Sequence, residues 1–526
     1  MKLGRLIKGL TVNDFTGDPD LEISEIAYDS RAVVPGSLFV ALRGRSLDGH
    51  DFIHAAILKG AAAVVAESAD PFKEIDAKAA LIMVPDSRDA LSRLGMTFFD
   101  RPFKDMTLIG ITGTNGKTTT SFILESIFLA AGARPGVIGT INYRIPGQVW
   151  KAPVTTPESL DLMRILKKMA DARVTHAVME VSSHALDQER TRGCPFAVGV
   201  FTNISRDHLD YHGSMESYFQ AKSRLFQNLG QGGPEDSARA VINADDPRGK
   251  DLVHITRVPV MTYGLGEACD VRADRLHMTR DGLSADLITP FGEVPIRSSL
   301  IGDFNMYNIL AASAAALCLE VDLNAIASGI TRLDGVPGRL ELVSDKGAPA
   351  VVVDYAHTPD ALIKALRSVK PLVKGRLITV FGCGGDRDKG KRREMGQVAG
   401  KLSDVVFVTS DNPRTEDPAA IASQIEKGVE ESGMVKLASP SADPVAGSGY
   451  FLDLDRGNAI RGAIKMAGES DLVLIAGKGH EDYQIIGKER RSFDDRKTAE
   501  KVLGTCQNTG TLEAVGKCAD ARRAKS

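Results

Sequence analysis

The stretch from Leu108 to Gly132, LIGITGTNGKTTTSFILESIFLAAG, concentrates residues whose types and spacing suit phosphate chemistry. The apolar run 108–112 predicts a strand, and 121–131 predicts a helix. Between them lies the loop Gly113, Thr114, Asn115, Gly116, Lys117, Thr118 and Thr119. Its glycines let backbone N–H groups turn inward around phosphate oxygens. The helix N-terminus adds partial positive charge. Lys117 suits the β/γ phosphates, and Thr118 suits Mg²⁺. The loop departs from the usual GxxxxGK[ST] spacing: position 111 is Ile, and the glycines fall at 110, 113 and 116. Alone it could be a glycine-rich turn with an incidental lysine. A strand before it and a helix after it favour a nucleotide-phosphate loop.

Two further segments carry acid and imidazole groups. MEVSSH ends a predicted strand and contains Glu180, and SRDHLDYH follows another and contains His208. Groups of this kind at adjacent strand ends can hold a divalent cation near a γ-phosphate. Each segment alone reads more readily as a structural or solvated strand end. Lys222, in YFQAKSR, has the spacing of an ordinary solvated helix lysine.

The elements that must position these groups alternate in type. Short β-branched runs at 107–112, 174–181, 198–202, 240–243, 350–354, 377–381, 405–409 and 472–476 are separated by helical stretches. That alternation predicts an α/β fold with parallel sheets and crossover helices. Most of these runs end in Gly, Asn, Asp, Ser or His, at the carboxyl ends where open α/β sheets bind ligands. The chain of 526 residues is long enough for three or four domains. Three blocks are expected: 1–103, 104–337 and 338–503, with a tail at 504–526 that carries little periodicity and is expected to be loosely ordered.

Composition narrows the function. Hydrophobic residues are 43% and charged residues 25%, as in a globular protein rather than a disordered one. Lys and Arg total 65 against 68 Asp and Glu, a net charge of −3, so no basic field draws the chain to nucleic acid or to a membrane. No apolar run is long enough to span a bilayer. The first residues lack the sustained apolar core of a secretory leader. Six scattered cysteines with no CxxC pair fit a reducing, cytoplasmic setting. No motif encodes an oligomeric state, and a monomer is the default expectation.

Ten motifs occur in order: GTNGKTTT, MEVSSHALDQER, FTNISRDHLDYHG, INADDP, GDFNMYN, GRLE, VVDYAHTPD, FGCGGDRDKGKR, TSDNPRTE and AGKGHEDYQ. Together they resemble the Mur ligases, and within them the diaminopimelate-adding members, from about residue 28 to about residue 503. The resemblance implies three domains: an N-terminal UDP-sugar-binding domain, a central P-loop ATPase-like domain and a C-terminal Rossmann-like domain. It implies an ADP-forming acid–amino-acid ligase of peptidoglycan precursor synthesis. ATP would phosphorylate the D-Glu side chain of UDP-N-acetylmuramoyl-L-alanyl-D-glutamate, and the amine of meso-2,6-diaminopimelate would displace the phosphate. By the same resemblance Lys117, Glu180, His208 and an N-carboxylated Lys222 are catalytic, and Thr118, Glu180, His208 and Lys222 hold Mg²⁺. ATP would be bound by residues 113–119 with Asn305, Arg339, Asp354 and His357, the last two reaching the nucleotide from the third domain. Tyr28, Ser30, Arg45, Ser46, Leu47, Thr155, Thr156, Ser182, Gln188 and Arg190 would bind the nucleotide-sugar dipeptide.

The identity of the added amino acid turns on Asp411, Asn412, Pro413 and Arg414. Diaminopimelate differs from lysine by a carboxylate at its far end. Arg414 can pair with that group bidentately, and Arg387 can add a second positive charge. Glu481 can accept the distal ammonium, and Gly477 lets backbone come close. In isolation DNPR also reads as a proline-stiffened turn with its arginine in water. Two other functions compete. A guanine-nucleotide switch would need an Asn-Lys-x-Asp segment, which is not found. A lysine-adding ligase of the same fold remains the alternative, which DNPR disfavours.

Overall fold

In the computed structural model the run at 107–112 forms the strand Thr107–Thr112, buried beyond its first residue. The structure describes residues 1–44, 47–68, 79–231, 238–344, 348–438 and 448–504. The expected tail beyond 504 lies outside the described residues, as do Arg45 and Ser46. The chain divides into two units, residues 1–271 with 311–326, and residues 272–310 with the chain from 327 onward.

The first unit carries two sheets. In the larger one, parallel strands run in the order Pro135–Ile138, His176–Glu180, Thr107–Thr112, Phe196–Phe201, Arg239–Asn243 and Val260–Gly264. The register sets Glu180 opposite Ile111 and Phe201 opposite Thr112, so three carboxyl ends finish level. Buried Leu108, Met179, Phe201 and Phe226 share one core. Two antiparallel strands, Asn142–Ile145 and Gln148–Lys151, extend the edge next to Pro135–Ile138.

The smaller sheet runs Asp14–Thr16, Ala80–Met83, Ala63–Ala66, Ser37–Val40 and Glu25–Ala27, parallel except for the first strand. The helix Ser87–Phe98 covers it and shares a core with Leu160 of the helix Ser159–Asp171. Each helix is capped by an acid: Asp86 accepts from two N–H groups of the first, and Glu158 accepts from Ser159 N of the second.

The second unit is a doubly wound sheet. Its strands run Glu341–Leu342, Ala350–Asp354, Leu472–Ala476, Leu377–Phe381, Val405–Val408, Gly449–Leu452 and Val435–Lys436, parallel except for the first. The strands Ala350–Asp354, Leu377–Phe381 and Leu472–Ala476 are buried at every residue, as both-face coverage by helices requires. Apolar clusters lie on both faces of the sheet. This unit also contains, from residue 272 onward, a ribbon whose strands are Val271–Thr279, Gly282–Thr289 and Gly292–Ser298, and the hairpin Tyr483–Ile486 with Glu489–Ser492.

The α/β expectation holds, and antiparallel strands are added at the edges. The phosphate-loop helix is Lys117–Ala130, starting four residues before the expected 121, because left-handed Gly116 caps it and Lys117 already lies in its first turn.

Candidate functional site

Gly113 leaves the strand at φ +149°, and a Cβ there would fall 1.8 Å from Thr202 Oγ1. Only glycine fits that approach. The loop is then tied to the neighbouring strand end. Thr114 N donates to Asn203 O at 2.8 Å, Asn115 N donates to Asn203 Oδ1 at 3.1 Å, and Thr202 Oγ1 donates to Asn115 O at 2.6 Å. Lys117 Nζ curls back onto Gly113 O (2.8 Å) and Thr114 O (3.0 Å). Its cation is therefore held at the mouth of the loop, beside the first turn of the helix, where Thr118 and Thr119 are buried.

Thr118 Oγ1 donates to Glu180 Oε2 at 3.0 Å. Thr140 also donates to this carboxylate, from its N to Oε1 at 3.0 Å and from its Oγ1 to Oε2 at 2.7 Å. Glu180 is buried, and a Cβ on Gly139 would meet its Oε1 at 2.4 Å. A hydroxyl and a carboxylate at a phosphate loop are the hard oxygen donors Mg²⁺ takes when phosphate oxygens complete its shell. These two residues fit that ion. Among the described residues no three His, Cys, Asp or Glu side chains form a cage of their own.

Lys222 lies on the helix Met215–Gln227 and is 1% exposed, contrary to its reading as a solvated lysine. The helix turns Tyr218, Phe219, Lys222, Leu225 and Phe226 inward together. Its Nζ donates to Gly113 O at 2.9 Å, the same carbonyl that Lys117 uses, and lies 4.6 Å over the Tyr218 ring. Burial, and then the Lys117 charge, hold this amine's pKa well below the usual lysine range. His208 adopts φ 53° and packs edge-on against His184, 4.8 Å between ring centres. Burial lowers the pKa of His208. Burial and the neighbouring His208 and His212 bring that of His184 to about 4. Burial therefore favours the neutral form of both imidazoles.

Of the residues expected to bind the nucleotide-sugar dipeptide, Thr155, Thr156, Ser182, Gln188 and Arg190 are linked beside Glu180. Thr155 Oγ1 lies 3.1 Å from Thr140 Oγ1. Thr156 Oγ1 donates to Glu180 O at 2.8 Å and accepts from Ser182 N at 3.0 Å. Arg190 donates to Thr156 O at 3.0 Å and to Gln188 Oε1 at 2.7 Å, and it lies 3.5 Å from Glu158. Tyr28 OH donates to Asp161 Oδ2 at 2.5 Å, joining the smaller sheet to the helix that Glu158 caps. Ser30 begins a short 3₁₀ turn, and Leu47 is exposed.

In the second unit Asn305 is buried, with its amide donating to Ile301 O at 2.8 Å and accepting from Asn308 at 2.9 Å. Asp354 ends its strand and accepts from Leu340 N and Ala356 N, both at 2.8 Å. Burial raises its pKa. It thereby pins the GRLE turn, where the Arg339 guanidinium stacks 4.7 Å over Tyr355. His357 packs on the same ring, 4.6 Å between centres, and its Nδ1 lies 2.8 Å from Tyr355 O.

The segments carrying DNPR and GKGHE also come together. Asn412 Nδ2 donates to Glu481 Oε2 at 2.9 Å. Arg414 sits at φ 52°, its Nη1 donating to Gly385 O at 2.7 Å and its backbone N donating to Ile485 O at 3.0 Å. A Cβ on Gly384 would touch both Arg414 Nη1 (3.0 Å) and Arg387 Cγ (3.9 Å), so the two arginines flank one glycine. Arg387 itself is exposed, donating to Asp386 O at 2.9 Å. Pro413 and Asp411 are buried at this strand end, and Gly477 takes φ +117° opposite Asp411. Sequence reasoning missed Thr140, Lys478, Tyr483 and Gln484, which complete these clusters. Lys478, Tyr483 and Gln484 lay within a quoted motif and could have been found there.

A glycine-bearing phosphate loop at level strand ends of a parallel sheet, with a Thr–Glu oxygen pair at its mouth, defines an α/β nucleotide-binding protein. Three family models match in order: the Mur ligase family catalytic domain at residues 22–98, the Mur ligase middle domain at 111–316, and the Mur ligase glutamate ligase domain at 338–479. The chain belongs to the Mur ligase family. It is 47% identical over 498 residues to the UDP-N-acetylmuramoyl-L-alanyl-D-glutamate–2,6-diaminopimelate ligase of Geobacter metallireducens, covering 94% of this chain and 97% of that one. The ligase of the same description from Geobacillus kaustophilus is 46% identical over 488 residues, covering 93% and 96%. A solved structure of a ligase of that description superposes with a TM-score of 0.69 at 33% identity, covering 96% of this chain and 99% of that chain. None of the helices in the described residues is long and apolar enough to cross a membrane.

Proposed function

We propose that this chain is an ATP-dependent ligase that joins meso-2,6-diaminopimelate to UDP-N-acetylmuramoyl-L-alanyl-D-glutamate, releasing ADP and phosphate, in the cytoplasm. The similarity to ligases so described extends over more than nine-tenths of the chain. The observation that carries the choice of amino acid is that Arg414, Arg387 and the Asn412 backbone surround Gly384 while the Asn412 side chain bonds Glu481. A far end bearing both ammonium and carboxylate needs an acid and a guanidinium side by side. The domain limits that go with this reading are 1–103, 104–337 and 338–503.

A carboxylate is a poor acyl donor until one oxygen becomes a phosphate leaving group. The loop N–H groups and Lys117 neutralise the ATP phosphates that repel the incoming D-Glu carboxylate. Attack of a carboxylate oxygen on the γ-phosphorus breaks its bond to ADP. The diaminopimelate amine then forms the C–N bond, loses its proton, and expels phosphate. Arg190, fixed by Thr156 and Gln188, orients the dipeptide. Thr118 and Glu180 would hold Mg²⁺, which screens phosphate charge when bound.

Lys222 is read as the N-carboxylated lysine. Its buried amine, held toward the neutral form, can attack CO₂. An N–C bond forms, a proton leaves, and a neutral amine becomes an anion. His208, whose pKa burial lowers, can donate or ligate at the same place.

The test is phosphate release by the purified chain supplied with ATP, Mg²⁺, the UDP-muramoyl dipeptide and one amino acid. Release is expected with diaminopimelate, and omission of any one substrate should abolish it. Comparable release with lysine alone and none with diaminopimelate would support the lysine-adding alternative.

A further inference from the structure

The amino-acid pocket contains a cation that the reading above does not use. Lys478 follows the strand Leu472–Ala476 and its side chain has no solvent exposure. Its Nζ lies 3.1 Å from Glu481 Oε2, 3.3 Å from Asn412 Oδ1, 3.5 Å from Asp411 Oδ1 and 5.4 Å from the centre of the Tyr483 ring. Glu481 Oε2 also accepts from Asn412 Nδ2 at 2.9 Å, so this oxygen is committed twice. Asn412 Oδ1 accepts from Ile485 N at 2.9 Å, which fixes the orientation of the amide. Glu481 thus keeps Oε1 for a ligand, and its direction is set by groups that Lys478 binds.

The charges give the lysine a second role. Asp411 and Glu481 bring two carboxylates to the strand ends, and Lys478 cancels one of them. The nearby Arg456 is matched by Asp495 at 2.7 Å, both fully buried, and adds nothing to the balance. One net negative charge suits a single ammonium, while the arginines at 387 and 414 answer a carboxylate. Without the lysine the cluster would carry two negative charges and favour an amino acid whose far end is a bare cation.

We propose that Lys478 is a positioning and specificity-determining residue. It holds Glu481 and Asn412 in register, and it sets the charge of the pocket so that a far end with both charges is preferred over a lone ammonium. This rests on the amino-acid pocket proposed above.

The test compares K478M, which removes the charge and the donor, with K478Q, which keeps a donor, in the full chain. In both, KM for diaminopimelate should rise about 10- to 100-fold, the loss expected for charge-assisted hydrogen bonds. KM for ATP and for the nucleotide-sugar dipeptide should stay within about twofold, and kcat should fall less than KM rises. Preference for diaminopimelate over lysine should drop at least about tenfold in K478M. Unchanged KM and unchanged preference would overturn the proposal, as would equal rises for all three substrates. Loss of the folded state in both variants would make the lysine structural only, and would overturn it too. A wild-type chain that fails to use diaminopimelate would instead sink the pocket reading itself, whatever the variants do.

Discussion

Replacing Lys222 by methionine separates a charge effect from a chemical one. In the bare enzyme two lysine amino groups donate to one carbonyl oxygen, Lys117 at 2.8 Å and Lys222 at 2.9 Å from Gly113 O. Charging both would cost about 3 kcal/mol of repulsion at an effective dielectric near 20, which favours the neutral form of Lys222. Lys222 is also wholly buried, which adds a desolvation penalty to its charged form. Methionine keeps the apolar stem and removes a buried amine that is costly to charge, so the melting temperature should hold or rise. Turnover should nevertheless fall about 100-fold or more, because no carbamate can support the ion at the γ-phosphate. Short-chain carboxylic acids, which can occupy the space of the lost carbamate, should restore part of the rate. The assay is phosphate release with and without added acetate or propionate, alongside a ¹³CO₂ label followed by NMR on the wild-type protein. A K222M enzyme with full turnover, indifferent to added acids, would refute the assignment. So would a wild-type protein with no carbamate resonance.

Other outcomes follow from the geometry. Arg414→Ala should raise KM for diaminopimelate about 10- to 100-fold and leave KM for the nucleotide-sugar unchanged, read by steady-state kinetics with each substrate varied. Gly113→Ala would drive a Cβ to 1.8 Å from Thr202 Oγ1 at φ +149°, so ATP binding by calorimetry should be lost and thermal unfolding should shift down. Hydrogen bonds from buried Arg392 bring the Glu416 carboxyl from its usual 4.5 to about 2. A lowered carboxylate pKa contributes stability above pH 4.5 that is lost as pH falls toward about 2. Acid unfolding of E416Q should therefore be flatter across that window than that of the wild type, measured by circular dichroism.

What sequence reasoning could reach was governed by local signal. The phosphate loop was legible because glycine, lysine and threonine sit between a strand run and a helix run, and each part is local. The buried strands of the second unit were legible for the same reason: a both-face-covered strand is a short unbroken apolar run, as in Leu377–Phe381. The ribbon at 271–298 was not, because its strands put polar residues at many half-exposed positions and interrupt the alternation. Lys222 was not legible as a buried group, since spacing on one helix does not say which neighbour closes over it. Its burial comes from Tyr218 on its own helix and Gly113 more than a hundred residues away. The partners of Glu180 show the same limit. Thr118 was expected from the motif, whereas Thr140 comes from a different part of the chain and meets the carboxylate only through the alignment of strand ends.

The most direct measurement is a single-pot competition. The chain is given ATP, Mg²⁺, the UDP-muramoyl dipeptide and equimolar diaminopimelate and lysine, and the products are weighed by mass spectrometry. The account predicts the diaminopimelate-containing tripeptide as the dominant product. A dominant lysine-containing product would contradict it.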